Sequence, residues 1–354
     1  MLKYETPSGT GEIENSWEEL SPKQFIETIA LTNRFFAGGF NIDEYRLQLL
    51  KVYTGYDRSE KRLKKDSVPY RDYAEISDTI NENLFLISEQ LTFSIRPKCG
   101  PEEVLEFFSP ELREQLKVRF PWEIIEPEMV DQLNIMAKRL TVEYELNLNL
   151  GKNPIPFIRI NETILKGPVF NTSDGDLDTD LKAGMYLDAQ EYFTAFTETR
   201  NVKYLDLMIM ALYFPVDDDD LERHPEFISG SHPISEIPVF TDRSTKDAIL
   251  LVFMYIQTTL VNDPIFSILF NSASTGSPNS VNNKLSLGPD EAIGQLIEAG
   301  YGSHESILNL DIRTFFNFQI MMIKKNVNQL RSYDKKPGEI ASELNLPIET
   351  IQKL

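Results

Sequence analysis

Asp174, Asp176, Asp178 and Asp180 alternate behind Asn171-Thr172-Ser173, and hard oxygen ligands at that spacing could hold calcium. An EF-hand loop begun at Asp174 would need glycine where Thr179 stands and a bidentate glutamate where Met185 stands. The run therefore reads as a solvated acidic flank before a helix. Asp217 to Asp220, followed by Glu222-Arg223-His224, pairs a carboxylate cluster with an imidazole and reads as a hydrated acidic turn. The only histidines are His224, His232 and His304, and none falls in an HExxH-type pair that would aim two ring nitrogens at one metal. Ser229-Gly230-Ser231-His232 sets hydroxyls beside an imidazole, but no strand-to-helix nucleophile elbow surrounds it. Neither GxGxxG nor GxxxxGK[ST] occurs, so no phosphate cradle of those types is present. Cys99 lies between Lys98 and Gly100, where a cation can lower a thiol pKa, but it has no partner base and reads as a plain thiol. The reading is of a protein without catalytic residues, metal or cofactor.

Composition narrows the function classes further. Of 354 residues, 41% are hydrophobic and 25% charged, the balance of a chain that folds around a core. Lysine and arginine total 35 against 55 aspartates and glutamates, giving a net charge of -20. A surface of that sign is repelled by phosphate backbones and anionic lipid, so nucleic acid and membrane are disfavoured as partners. A lone cysteine closes no internal disulfide, and Met1 to Pro7 lacks the apolar run of a secretion signal. The longest apolar stretch, Ala248 to Ile256, falls well short of the ~20 residues that span a bilayer. The expected compartment is the cytoplasm.

The elements that must position these residues follow from periodicity and capping chemistry. Leu2-Lys3-Tyr4-Glu5 and Glu12-Ile13-Glu14 flank the turn residues Pro7 to Gly11 and predict a small hairpin. Ser21-Pro22-Lys23-Gln24 predicts a helix start with an N-cap serine, proline in the first turn and glutamine to complete a capping box. Phe25, Ile29 and Phe36 share a side of that helix, and Gly38-Gly39 ends it. Asn41 starts a second helix with Ile42, Tyr45, Leu49, Val52, Tyr53 and Tyr56 at helical spacing, and a third is expected from Asp72 to Thr92. Prolines 97, 101, 110, 121 and 127 break the following region into short connections.

Val142, Tyr144, Leu146, Leu148 and Leu150 alternate with polar residues and predict a strand. The turn Gly151 to Pro154 should lead it into the pair Phe157 to Ile160 and Thr163 to Leu165, forming a mid-chain sheet. Helices are expected at Leu181 to Arg200, Val202 to Phe214, Thr245 to Leu260 and Leu310 to Leu330, the last with Phe315, Phe318, Met322 and Leu330 inward. Ser272 to Asn283 reads as a linker. The fold class is mainly α with small antiparallel β-hairpins, in two domains. Residues 1–138 form a helical domain opened by a hairpin, and 139–354 a β-hairpin plus helical domain with a tail at 336–354.

That tail has helix-turn-helix spacing, with Ala341 at the helix crossing, Asn345 at the turn, and Ile340, Leu344, Leu346 and Ile351 inside. Lysines and arginines there are matched by aspartates and glutamates, so it lacks a basic footprint for DNA and reads as a helical cap or protein-docking tail.

Three segments carry a family resemblance. They are Ser16-Trp17-Glu18-Glu19-Leu20-Ser21-Pro22-Lys23-Gln24-Phe25, the stretch from Ile164-Leu165-Lys166-Gly167-Pro168 through Glu191-Tyr192-Phe193 to Ala211-Leu212-Tyr213-Phe214-Pro215, and Phe315-Phe316-Asn317-Phe318. Together they resemble a group of proteins from phages and prophages of Bacteroidetes-type bacteria, encoded among tail genes and similar to tail assembly chaperones. The family's usual Tyr-Arg-Pro reads Tyr213-Phe214-Pro215 here. The resemblance implies a non-enzymatic assembly factor in the bacterial host cytoplasm that holds hydrophobic, helix-forming segments of a tail component until they polymerise. Such a holdase needs exposed aromatic or methionine-rich surface and high like charge. The candidate partner-binding residues are Phe35, Phe36 and Phe40 around Gly38-Gly39, and Phe315, Phe316, Phe318, Met321 and Met322. A structural virion or mobile-element subunit, and a regulator using the C-terminal helix-turn-helix, are the alternatives.

Overall fold

The structure is a computed structural model describing residues 2–6, 9–54, 87–88, 91, 93–97, 144–160, 162–172, 177–217, 221, 225–227, 242–270, 289–344, 346 and 348–353. The described chain is mainly helical, with small antiparallel sheets of two or three strands. It divides into two compact units, Met1–Asn149 and Leu150–Leu354.

The first unit opens with the expected hairpin, β1 (Leu2–Thr6) paired antiparallel with β2 (Gly9–Ile13). Helix α1 (Pro22–Phe36) starts on the capping box: Ser21 Oγ accepts from the Gln24 backbone N–H, and the Ser21 N–H donates to Gln24 Oε1 at 2.9 Å. Helix α2 (Ile42–Thr54) repeats the device, with Asn41 and Glu44 exchanging backbone-to-side-chain bonds of 3.0 and 2.8 Å.

Between these helices runs a chain of buried hydroxyls. Thr32 Oγ1 donates to the Thr28 carbonyl at 2.7 Å, which uses its only proton, so the Tyr45 hydroxyl, 2.7 Å away, must donate to it. Ser94 Oγ, 2.9 Å from the Tyr45 oxygen, then donates in turn, and Thr28 Oγ1 bonds the Tyr53 hydroxyl at 2.9 Å. All five residues are buried. Burial pushes the Tyr45 and Tyr53 hydroxyls above the ordinary phenol range, which keeps them neutral hydrogen-bonding groups.

The strand predicted around residue 146 is short, and its partner differs from the expectation. β4 (Tyr144–Leu146) pairs with β3 (Ile95–Pro97), while the Trp17 indole donates to the Asn147 carbonyl at 2.7 Å. These bonds hold residues up to Asn149 in the first unit, so the division falls after Asn149 and not at 138/139. Most of the helix expected at Asp72 to Thr92, the proline-rich connection beyond Pro97 and the linker Ser272 to Asn283 lie outside the described residues.

In the second unit, β5 (Phe157–Ile160) and β6 (Thr163–Lys166) form the predicted hairpin. Its third strand is β9 (Phe214–Val216), pairing Leu165 with Pro215. The edge position tolerates a proline, which has no N–H to donate to a further strand. β7 (Phe170–Asn171) and β8 (Asp178–Thr179) make a second small ladder. At the sheet corner the buried Tyr213 hydroxyl donates to the Ile155 carbonyl at 2.8 Å. A Cβ on Gly167 would come within 2.6 Å of the Tyr213 ring, so only glycine lets the strand end approach this closely.

Helices α3 (Ala183–Thr199), α4 (Lys203–Leu212), α5 (Arg243–Asn262), α6 (Pro289–Glu298), α7 (His304–Leu308), α8 (Ile312–Ser332), α9 (Pro337–Glu343) and α10 (Ile348–Lys353) complete this unit. Asp242 caps α5 by accepting from the Ser244 and Thr245 N–H groups. The core is aromatic. The Phe316 ring meets Tyr186, Phe266, Phe270 and Phe315 at centroid distances of 5.6 to 5.9 Å, and Phe253 meets Tyr186 and Phe193 at 5.9 and 6.0 Å. The contacts of Phe316 with Tyr186, Phe266 and Phe270 and of Phe253 with Phe193 are edge-to-face, a geometry that adds to the area the rings bury. Among the described residues one ion pair is enclosed: Lys246 Nζ on α5 lies 2.7 Å from Asp206 Oδ1 on α4, with both side chains buried.

Candidate functional site

The sequence points to two exposed apolar regions, and the structure treats them differently. At the end of α1, Ala37, Gly38 and Gly39 N–H groups return to the carbonyls of Asn33, Phe35 and Arg34. Gly38 adopts φ +77°, the left-handed geometry that stops the helix at no steric cost, and a Cβ on Gly39 would come within 2.7 Å of Arg34 Cγ. The reversal brings Phe40 back beneath Arg34, whose guanidinium sits 4.4 Å from the ring centroid. Phe35 stacks on Tyr45 at 4.9 Å and meets Tyr144 edge-on at 5.8 Å. Phe36, 5.4 Å from Phe35, is 45% exposed. Of the expected trio, Phe36 faces outward beside the half-buried Phe35, while the half-buried Phe40 packs under Arg34, two residues before Phe36 and so on the other side of the helix.

On α8 the expectation needs correction. Phe315 and Phe316 are fully buried members of the aromatic core and offer nothing to a partner. The inward stripe of this helix is Ile312, Phe315, Phe316, Gln319, Ile320, Ile323 and Val327. That phase leaves Phe318, Met322 and Leu330 half-buried at the boundary and Met321 53% exposed. Phe318 packs against Tyr301 at 4.6 Å.

The other residues singled out from sequence are structural or lie elsewhere. Asp180 Oδ1 accepts from the Val169 N–H at 2.8 Å, tying the end of β8 to the start of β7; Asp178 is an exposed strand residue. Asp174, Asp176, Asp218, Asp219, Asp220, His224, the Ser229 to His232 run and Cys99 lie outside the described residues. Among the described residues no group of three or more His, Cys, Asp or Glu could hold a metal ion, and no helix is long and apolar enough to cross a membrane. The tail forms two short helices with Ile340, Leu346 and Ile351 buried, while Asn345 lies outside the described residues. Arg331 near the end of α8 donates to the Ile351 carbonyl at 2.8 Å, which docks this tail on α8.

Sequence reasoning missed two polar features. The Asp206–Lys246 pair had a signal, since an aspartate inside the apolar run Leu205 to Leu212 needs a buried partner. Asp188 on α3 had none. Burial, with the neighbouring Glu191 charge, pushes its carboxyl up to about 6. Comparison with protein-family models, curated proteins and solved structures finds no match to this chain.

Proposed function

We propose that this chain is a non-enzymatic assembly factor of the tail-assembly-chaperone kind, working in the bacterial cytoplasm by binding an apolar, helix-forming segment of a phage or prophage tail component. The observation that carries this reading is Phe36 at the end of α1, an exposed ring backed by Phe35, which itself stacks on Tyr45, in a chain of net charge -20. Aromatic groups on rigid backing make strong anchors for apolar segments. The surrounding like charge keeps a loaded complex dispersed.

The test is co-purification from cells expressing the neighbouring tail genes, read by mass spectrometry, with wild-type chain and Phe36→Ser. A long helical tail component should accompany the wild type and be depleted in the variant. Recovery of no protein partner would refute the reading, and finding the chain as a stoichiometric subunit of purified particles would replace it with a virion role.

A further inference from the structure

In a chain with 55 acidic residues, α8 has none: between Ile312 and Ser332 the only charged side chains are Arg313, Lys324, Lys325 and Arg331. Asn317, Met321, Lys324, Lys325, Asn328 and Ser332 are all exposed. Their three- and four-residue spacing puts them on one side of the helix, a stripe about 22 Å long at ~1.5 Å per residue. Among the described residues neither Lys324 nor Lys325 has an ion-pair partner, and Met321 stands 53% exposed one turn before them. The helix behind the stripe is fixed at both ends. The Ile312 N–H donates to the Leu181 carbonyl and Arg313 to the Leu177 carbonyl, while Arg331 holds the tail at Ile351.

We propose that this stripe docks an acidic amphipathic helix of a protein partner, with an apolar side chain seated on Met321 against the edge of Phe318 and carboxylates one turn on reaching Lys324 and Lys325. This rests on the reading of the chain as a protein-binding factor and names the chemistry of the segment it takes. Helix recognition works through anchors at these spacings, and an exposed thioether adapts to apolar groups of different shape. With a Debye length near 8 Å at physiological salt, the two lysines act on a segment seated directly beside them. Two cations are too few to hold a nucleic acid by counterion release. A second copy would bring its own charge of -20 to the contact, whereas a single helical segment brings only the charge of its own face.

Three synthetic helical peptides with identical leucine spacing and a polar face of glutamate, glutamine or lysine test this, titrated by fluorescence anisotropy against the full chain at physiological salt. The glutamate peptide should bind about tenfold or more tighter than the glutamine peptide. The doubly substituted K324E/K325E chain should lose that preference and favour the lysine peptide, and M321S should weaken binding. All these positions are exposed, and circular dichroism checks the fold of each variant. Equal binding of the glutamate and glutamine peptides, lost only in F36S, would overturn this proposal and leave the assembly-factor reading standing. Failure of all three peptides to bind would count against both. Dimerisation of the wild type abolished by K324E/K325E, or duplex DNA bound through these lysines at the same salt, would also overturn it.

Discussion

Among the described residues, a directed chain of buried hydroxyls links the helices of the first unit beside the rings of Trp17, Phe25 and Phe93, whereas the centre of the second unit is a cluster of rings around Phe316. The Ser94, Tyr45, Thr32 and Thr28 chain has a fixed direction of donation, each link constrained by the one before it. Phe316 and its neighbours have no such direction; their attraction scales with the area they remove from water. A directional chain specifies one arrangement at modest net energy, about 1 kcal/mol per bond. A ring cluster supplies more energy and less specificity. The second unit adds direction through the enclosed ion pair of Asp206 with Lys246.

Phe316→Ala should have the largest effect on this contrast. Removing the central ring should cost about 3–5 kcal/mol in chemical denaturation; a loss under about 1 kcal/mol would mean that the cluster is not what holds the second unit. Asp206→Ala strands Lys246 and should cost about 3 kcal/mol, while the double change Asp206→Leu with Lys246→Met should recover most of it. Failure of the double change to recover stability would assign the pair a role beyond mutual neutralisation.

In the first unit, Tyr45→Phe removes one donor and one acceptor and should cost about 1–2 kcal/mol. Trp17 reports on this unit through its bond to Asn147, so its fluorescence should follow the loss. A cost equal to that of Phe316→Ala would erase the distinction between hydroxyls and rings.

The smallest effect concerns Asp188, whose folded-state pKa of about 6 lies above its ordinary 3.8. Between those values the native state binds more protons than the unfolded one, so stability is greatest at acidic pH and falls as pH rises through about 6. The side chain is partly open to solvent, which reduces the effect to on the order of 1 kcal/mol. Asp188→Asn should flatten that part of the profile and raise stability at pH 7 and above; an unchanged profile would show that the carboxyl is not held away from water.

Much of this architecture is legible in the sequence because local rules fix it. The capping boxes at Ser21 and Asn41, the Gly38 stop and the hairpin Phe157 to Lys166 are all nearest-neighbour chemistry. Pairing is less legible. Val142 to Leu150 alternates well enough to announce a strand, but alternation says nothing of its partner, and the choice of Ile95–Pro97 moved the unit boundary. The same gap separates Phe315 and Phe316 from the binding role expected of them. Two adjacent aromatics on a helix look like a surface anchor or a core pair alike, and only the phase set by Ile312, Ile323 and Val327 puts both inside. Phe36 was readable because it is the last residue of α1, two positions before the Gly38 stop, where no following turn remains to cover it.

Clamping α8 at both ends fixes its rotation as well as its position. A residue inserted between Ile312 and Arg331 would turn everything beyond it by about 100° about the helix axis. Either the strand-like link to Leu181 or the latch on Ile351 would then have to open. Length variation in this stretch is therefore confined to changes that complete a near-whole turn.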